Sequence, residues 1–264
     1  MPPTKDEIVR AVVAERRATL ALLRPLDPAR FDTPTALPGW RVLEVVAHLL
    51  TTDRAAVTGA ILPQMFRRST DGLEAWNETQ IPKWANRPIP ELLAGLEAWG
   101  RRFARLVRSA PAALYRLRLP SAWGREPVAM MAWIRAYDEW VHRQDIRRAL
   151  DMGDQDVDLA SIAEFLLTQI DYSILPKLGR RPGTIVVALA GLPLPAWRYD
   201  LTAGTGAPAG DGEGADARIT APAAAFIMAA AGRDRFDDLK ATGALTVEGD
   251  QTLAARFLDL LRIV

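Results

Sequence analysis

The sequence predicts an α+β chain of two domains, a helical one over residues 1–178 and a smaller mixed one over residues 179–264. Two observations carry this. Segments with apolar residues three and four apart, punctuated by prolines, fill the chain up to about residue 178. After Gly179-Arg180-Arg181-Pro182-Gly183 the pattern changes to short β-branched runs separated by Gly- and Asp-rich turns.

The first helix is expected from Thr4, a side chain that can cap it, to about Leu23, with Ile8, Val12, Leu20 and Leu23 near helical spacing. The segment Pro25–Gly39 breaks the pattern, and LPGWRVLEVVAHLL opens a second helix over about Arg41–Ala60. Val42, Val45, Leu49 and Thr52 form its stripe, with His48 beside it. A short helical piece is expected near Gly72–Gln80, and Pro90 opens a third long helix to about Ser109. Pro111–Glu126 reads as a connection with a turn at Trp123-Gly124. Pro127 then precedes a long helix over Val128–Leu150, followed by another over about Asp158–Lys177. In the second domain, strands are expected at Thr184–Leu189, Ala196–Thr202, Ala217–Thr220 and Gly243–Glu248. Ala203–Asp216 reads as a loop, and Pro222–Gly232 and Asp250–Leu261 as helices.

Composition narrows the function classes. A net charge of +1 and a pI near 8.1 give no electrostatic footprint for nucleic acid or for an anionic membrane. No cysteine is present, which excludes disulfides, thiolate metal sites and a cysteine nucleophile. The N-terminus enters a charged helical pattern without a signal peptide, and the apolar runs near Thr184–Leu194 and Ile219–Ala231 are unsuited to spanning a bilayer, so a cytoplasmic location is expected. Four lysines against 29 arginines point to a GC-rich genome. Ser121 and Ser161 lack a histidine in a hydrolase motif, and the glycines at 204–214 precede a strand, not the helix a phosphate loop needs.

The Val128–Leu150 helix carries the chemistry. Steps of three and four place Met131, Ile134, Asp138, His142, Asp145 and Ala149 on one stripe, apolar at its ends and ionisable in its middle. Charges buried there need partners or a metal. The only two histidines are His48 and His142. A lone helical histidine usually satisfies its hydrogen bonds locally. Asp138 and His142, one turn apart, can instead share an ion, and a histidine from a neighbouring helix would complete three ligands and leave an open position on zinc. Glu139 competes with Asp138 for the ligand role but is rotated off the stripe. Asp145 either orients His142 by accepting its free N–H or pairs with Arg143 or Arg148. Trp40 and Trp76 are candidates to line a pocket. Arg233 and Arg235 either bind a substrate carboxylate or are solvated charges at a helix end.

Three segments together resemble one family. LPGWRVLEVVAHLL is similar to its N-terminal signature, YDEWVHRQDIRRAL to its acid-x-x-x-His-x-x-Asp helix, and GALTVEGDQTLAARFLDLL to its closing strand and helix. The family is the mycothiol-dependent maleylpyruvate isomerase group of the DinB-like superfamily. The resemblance implies a DinB-like four-helix bundle joined to a small domain similar to sterol carrier proteins. It also implies a divalent metal, typically zinc, which residue by residue falls on His48, Asp138 and His142. Arg233 is the placement for an arginine that the family uses near the metal. The chain departs from the family in having Asp138 where glutamate is usual, one methylene shorter, and Arg41 where a Ser or Thr cap is usual. The implied activity is that of a metal-dependent enzyme using a mycothiol-type thiol as cosubstrate, as a cis–trans isomerase or a thiol S-transferase. In the isomerase the metal lowers the thiol's pKa, the thiolate adds to a cis double bond, a single bond rotates and the thiol is expelled. The alternative is a non-catalytic small-ligand-binding protein whose metal site has lapsed. The expected partners are a small-molecule substrate and the thiol, with no nucleic acid or membrane, in a monomer or homodimer.

Overall fold

The computed structural model describes residues 3–63, 70–121, 123–154, 158–209 and 214–263, in two compact units, Pro3–Asp158 and Leu159 onward. The architecture is α+β.

In the first unit, α1 spans Lys5–Leu23. Thr4 closes a capping box, its Oγ1 accepting from Glu7 N at 3.3 Å while Glu7 Oε2 accepts from Thr4 N at 2.7 Å. Helix α2 spans Val42–Thr58. It starts without a Ser or Thr because Glu44 Oε2 reaches back to Arg41 N at 2.9 Å, and the Arg41 guanidinium is held between Glu44 and Asp32. Gly59, at φ +74°, ends it in the left-handed conformation that glycine adopts without steric cost. Helix α3 covers Thr70–Gln80, α4 covers Ile89–Ser109 with its proline in the first turn, and α5 covers Val128–Ala149. The connection expected before α5 contains a one-turn helix, Ala112–Arg116, and a two-stranded hairpin, β1 Arg118–Ser121 against β2 Gly124–Pro127.

The four long helices α1, α2, α4 and α5 form the bundle, with α4 against α1 and α2, and α5 against the same pair. Val45, Val46, Leu49 and Leu50 of α2 meet Leu92 and Leu96 of α4 with no exposed surface. Burial of each such side chain contributes about 1.5–3 kcal/mol.

The second unit begins earlier than the expected boundary at residue 179. Helix α6, Leu159–Ser173, packs on the strands of this unit, and Tyr199 Oη donates to Leu167 O at 2.9 Å. Five strands follow: β3 Thr184–Ala190, β4 Trp197–Asp200, β5 Thr205–Pro208, β6 Ala217–Pro222 and β7 Thr246–Gly249. Their order is β5-β4-β3-β6-β7, and the β3–β6 pairing is the parallel one. Helices α7 Ala223–Ala230, α8 Phe236–Ala241 and α9 Gln251–Leu260 complete the unit.

Strand β5 lies inside the stretch expected to be a loop. Gly206 allows it: a Cβ there would come within 2.6 Å of Asp171 Oδ1 and 2.7 Å of Trp197 Nε1. The glycine that reads as a turn residue is instead where an edge strand lies close against α6. Residues 210–213 of the expected loop lie outside the described residues. Among the described residues no helix is long and apolar enough to cross a membrane.

Candidate metal centre

The site lies within the first unit, on α2 and α5. His48 sits in the middle of α2 on the face that meets the bundle interior, and Asp138 and His142 lie one turn apart on α5. One donor atom from each of the three lies within 4.8 Å of the others. His48 Nε2 is 3.6 Å from Asp138 Oδ2, and His142 Nε2 is 3.7 Å from Asp138 Oδ1. The imidazole rings meet edge to face with centroids 4.8 Å apart. Trp40, carried by the Pro-Gly-Trp turn that leads into α2, lies 5.2 Å from the His48 ring and 6.0 Å from the His142 ring. Its carbonyl is tied by Thr35 Oγ1 at 2.8 Å and its indole Nε1 by Glu78 of α3 at 2.9 Å. Trp76 is half-buried on α3.

Asp145, one turn beyond His142, is 3 % exposed and its Oδ2 lies 3.0 Å from His142 Nδ1. A carboxylate there accepts a hydrogen bond from Nδ1–H and leaves the Nε2 lone pair facing Asp138 and His48. The alternative partners are engaged elsewhere as well: Arg148 reaches Asp154 at 2.9 Å and Arg143 reaches Glu15 at 2.7 Å.

Asp138 and Glu139 are adjacent in sequence but differently committed. Both oxygens of Glu139 are gripped by Arg16 of α1, at 2.6 Å and 2.8 Å, in a pair almost without exposure. Asp138 faces the two imidazoles and is also held by Arg135 Nη1, one turn back on α5. His142 and Asp145 are buried, but the apolar members of the stripe that carries Asp138 lie on a less buried side of α5. Met131, Ile134, Asp138 and Ala149 are half-buried, while Met130, Trp133, Tyr137 and Trp140 form the face with almost no exposure. The apolar stripe therefore lies beside the deepest core and not within it.

Three residues that sequence reasoning did not single out build the electrostatics. Arg135 Nε bonds Asp53 Oδ1 at 3.0 Å, and Arg16 Nη2 bonds Asp53 Oδ2 at 2.8 Å. The buried order is thus Glu139, Arg16, Asp53, Arg135, Asp138, alternating in sign across α1, α2 and α5. Burial alone would push the Asp138 carboxyl up, but Arg135 and the two imidazoles outweigh it and hold it well below the usual carboxylate range. Burial pushes the His48 imidazole down, against the pull of Asp138, so it is neutral at physiological pH.

The donor set fits a divalent cation. His48 is 5 % exposed, and among the described residues neither of its ring nitrogens has a hydrogen-bond partner. Such orphaned nitrogens are costly unless something else binds them. Two imidazoles and one carboxylate are the donor set of catalytic zinc sites, which keep one position open.

Arg233 belongs to the second unit, just beyond α7. Its Nη1 donates to Ala231 O at 2.8 Å, and its backbone N–H to Met228 O at 2.9 Å. Arg235 forms an exposed pair with Asp237 at 3.6 Å.

Comparison with known proteins adds the family. The mycothiol maleylpyruvate isomerase N-terminal domain model matches residues 12–147, and the corresponding C-terminal domain model matches residues 173–256. Among solved structures, the chain is similar to the mycothiol-dependent maleylpyruvate isomerase, at 17 % identity and a TM-score of 0.58 over 93 % of each chain. A histidine-to-alanine mutant of that isomerase matches at 18 % identity and a TM-score of 0.57 over the same shares. No curated protein sequence matches. The chain belongs to the mycothiol maleylpyruvate isomerase family.

Proposed function

We propose that this member of the mycothiol maleylpyruvate isomerase family is a cytoplasmic, metal-dependent enzyme that uses a low-molecular-weight thiol of the mycothiol type. Its reaction is the cis–trans isomerisation of a maleylpyruvate-like substrate or the transfer of the thiol to an electrophile. The observation that carries this reading is the convergence of His48, Asp138 and His142, with the buried nitrogens of His48 unpartnered. Zinc is the proposed ion, since the set combines two imidazoles with one carboxylate.

When bound, such an ion supplies a Lewis-acid centre that lowers the pKa of a thiol. The chain's own residues do the rest. His48, Asp138 and His142 would hold the ion, and Asp145 fixes the tautomer of His142. Trp40 covers the two imidazoles from one side and limits their access to water. With no cysteine anywhere in the chain, the sulfur nucleophile is an external thiol. Arg233 is the proposed catalytic arginine for a substrate carboxylate, a role its planar fork of donors suits.

Elemental analysis of untagged protein, as wild type and His48→Ala, tests the metal. One divalent ion per chain in the wild type and its loss in the variant are expected. A wild type that takes up no zinc, nickel or manganese on titration overturns the reading. An assay of thiol-dependent isomerisation of maleylpyruvate then separates isomerase from transferase.

The contact of Arg135 with Asp138 favours a second reading, in which the carboxylate already has its cation and the site has lapsed into a small-ligand-binding pocket. Asp138→Glu distinguishes the two. A large gain in metal affinity and thiol-dependent activity supports the lapsed site, whereas no gain over a metal-replete wild type supports the enzyme.

A further inference from the structure

Arg135 is an unusual neighbour for a metal ligand. It is 5 % exposed, and it places a permanent positive charge against the carboxylate proposed to bind a cation. Its position is set from the other side, by Asp53 at 3.0 Å with no exposed surface, and Arg16 fixes Asp53 in turn at 2.8 Å. Arg135 Nη2 lies 3.4 Å from the carbonyl of Leu49, the residue that follows His48. The guanidinium thus spans from one proposed ligand on α5 to the backbone beside another on α2.

We infer that Arg135 is a positioning residue that limits the metal affinity of the site, an internal cation locked by Asp53 that competes with the ion for Asp138. This rests on the metal-site reading proposed above. Two effects oppose each other when Arg135 is removed. Asp138 loses a contact that holds its rotamer, which weakens binding by at most about tenfold, the usual cost of immobilising one side chain. The ion loses a nearby like charge. At an effective dielectric of about 20, two unit charges about 4 Å apart change an equilibrium constant by about a thousandfold, and a divalent ion feels more. Electrostatics therefore wins, and the variant binds more tightly. An Asp138 that shares its charge with Arg135 also donates less of it to a bound ion, which keeps the ion electrophilic toward a thiol.

The test is zinc affinity, measured by competition with a chromophoric chelator on the full-length protein. Arg135→Gln should bind zinc about tenfold or more tightly than wild type. Arg135→Met, which fills a similar volume without charge, carries the same expectation if the Gln variant does not fold. Arg135→Lys keeps the cation and should stay within a few-fold of wild type. Damage to the structure can only weaken binding, so tightening is the signature. Unchanged or weaker binding in the neutral variants, beside a wild type that binds zinc, overturns the inference alone. A wild type that binds no zinc overturns the metal-site reading first.

Discussion

Replacing His48 by alanine should matter little without metal and much more with it. In chelator, the imidazole occupies an almost closed site with two unpartnered nitrogens, each costing about 1–3 kcal/mol. Truncation relieves that cost but leaves a cavity, and truncation of a buried ring typically costs about 3–5 kcal/mol. The two nearly cancel, so the variant in EDTA should lie within about 2 kcal/mol of wild type. With zinc at a hundredfold excess over its dissociation constant, the wild type gains about 2.7 kcal/mol by mass action and a variant without the ligand does not. Urea unfolding followed by far-UV circular dichroism, in EDTA and in zinc, reads both. The quantity that matters is the difference of differences, expected near 2.7 kcal/mol. If the two proteins respond equally to zinc, His48 is no ligand and the reasoning from its orphaned nitrogens fails.

Asp145→Asn should lower zinc affinity about 10- to 100-fold in the chelator assay by freeing the tautomer of His142; an unchanged affinity would separate Asp145 from the site. Glu139→Gln should cost about 3–5 kcal/mol in urea unfolding, because it leaves Arg16 buried with half its partners, yet metal stoichiometry should stay at the wild-type value. Loss of metal there would return Glu139 to the ligand set. In the second unit, burial pushes the Asp171 carboxyl up to about 6 from 3.8. Between those values the folded chain keeps a proton that the unfolded chain has lost, so this group's contribution to stability falls as pH rises from about 4 through 6. Asp171→Asn removes that slope, so the variant should gain on wild type between pH 4 and pH 7; a flat difference across the range would refute the assignment.

Helical periodicity made the bundle legible, because α1, α2, α4 and α5 each carry a long apolar face between proline or glycine stops. The same periodicity placed Asp138 and His142 one turn apart and Asp145 beyond them, since that relation is local. What was not legible was non-local. Arg16, Asp53 and Arg135 lie on three helices, and nothing in the neighbourhood of any of them announces its partners. The separate fates of Asp138 and Glu139 follow from Arg16, which is 123 residues away from Glu139 in the chain. Strand β5 was hidden by its own glycine, whose packing role shows only once Trp197, Tyr199 and Asp171 are around it. Helix α6 reads as a bundle helix because its apolar residues are equally suited to a sheet face.

Two consecutive residues of α1 touch α5 with opposite polarity. Glu15 meets Arg143 with neither side chain exposed, and Arg16 meets Glu139, one turn earlier on α5. Let the helices slip by a turn, and Arg16 would stand against Arg143, a buried like-charge encounter worth several kcal/mol. An apolar seam tolerates sliding, whereas this one is keyed. The key sets the height of α5, and with it the level at which His142 faces His48 across the bundle. A helix that contributes no ligand thereby acts as the gauge for the whole centre.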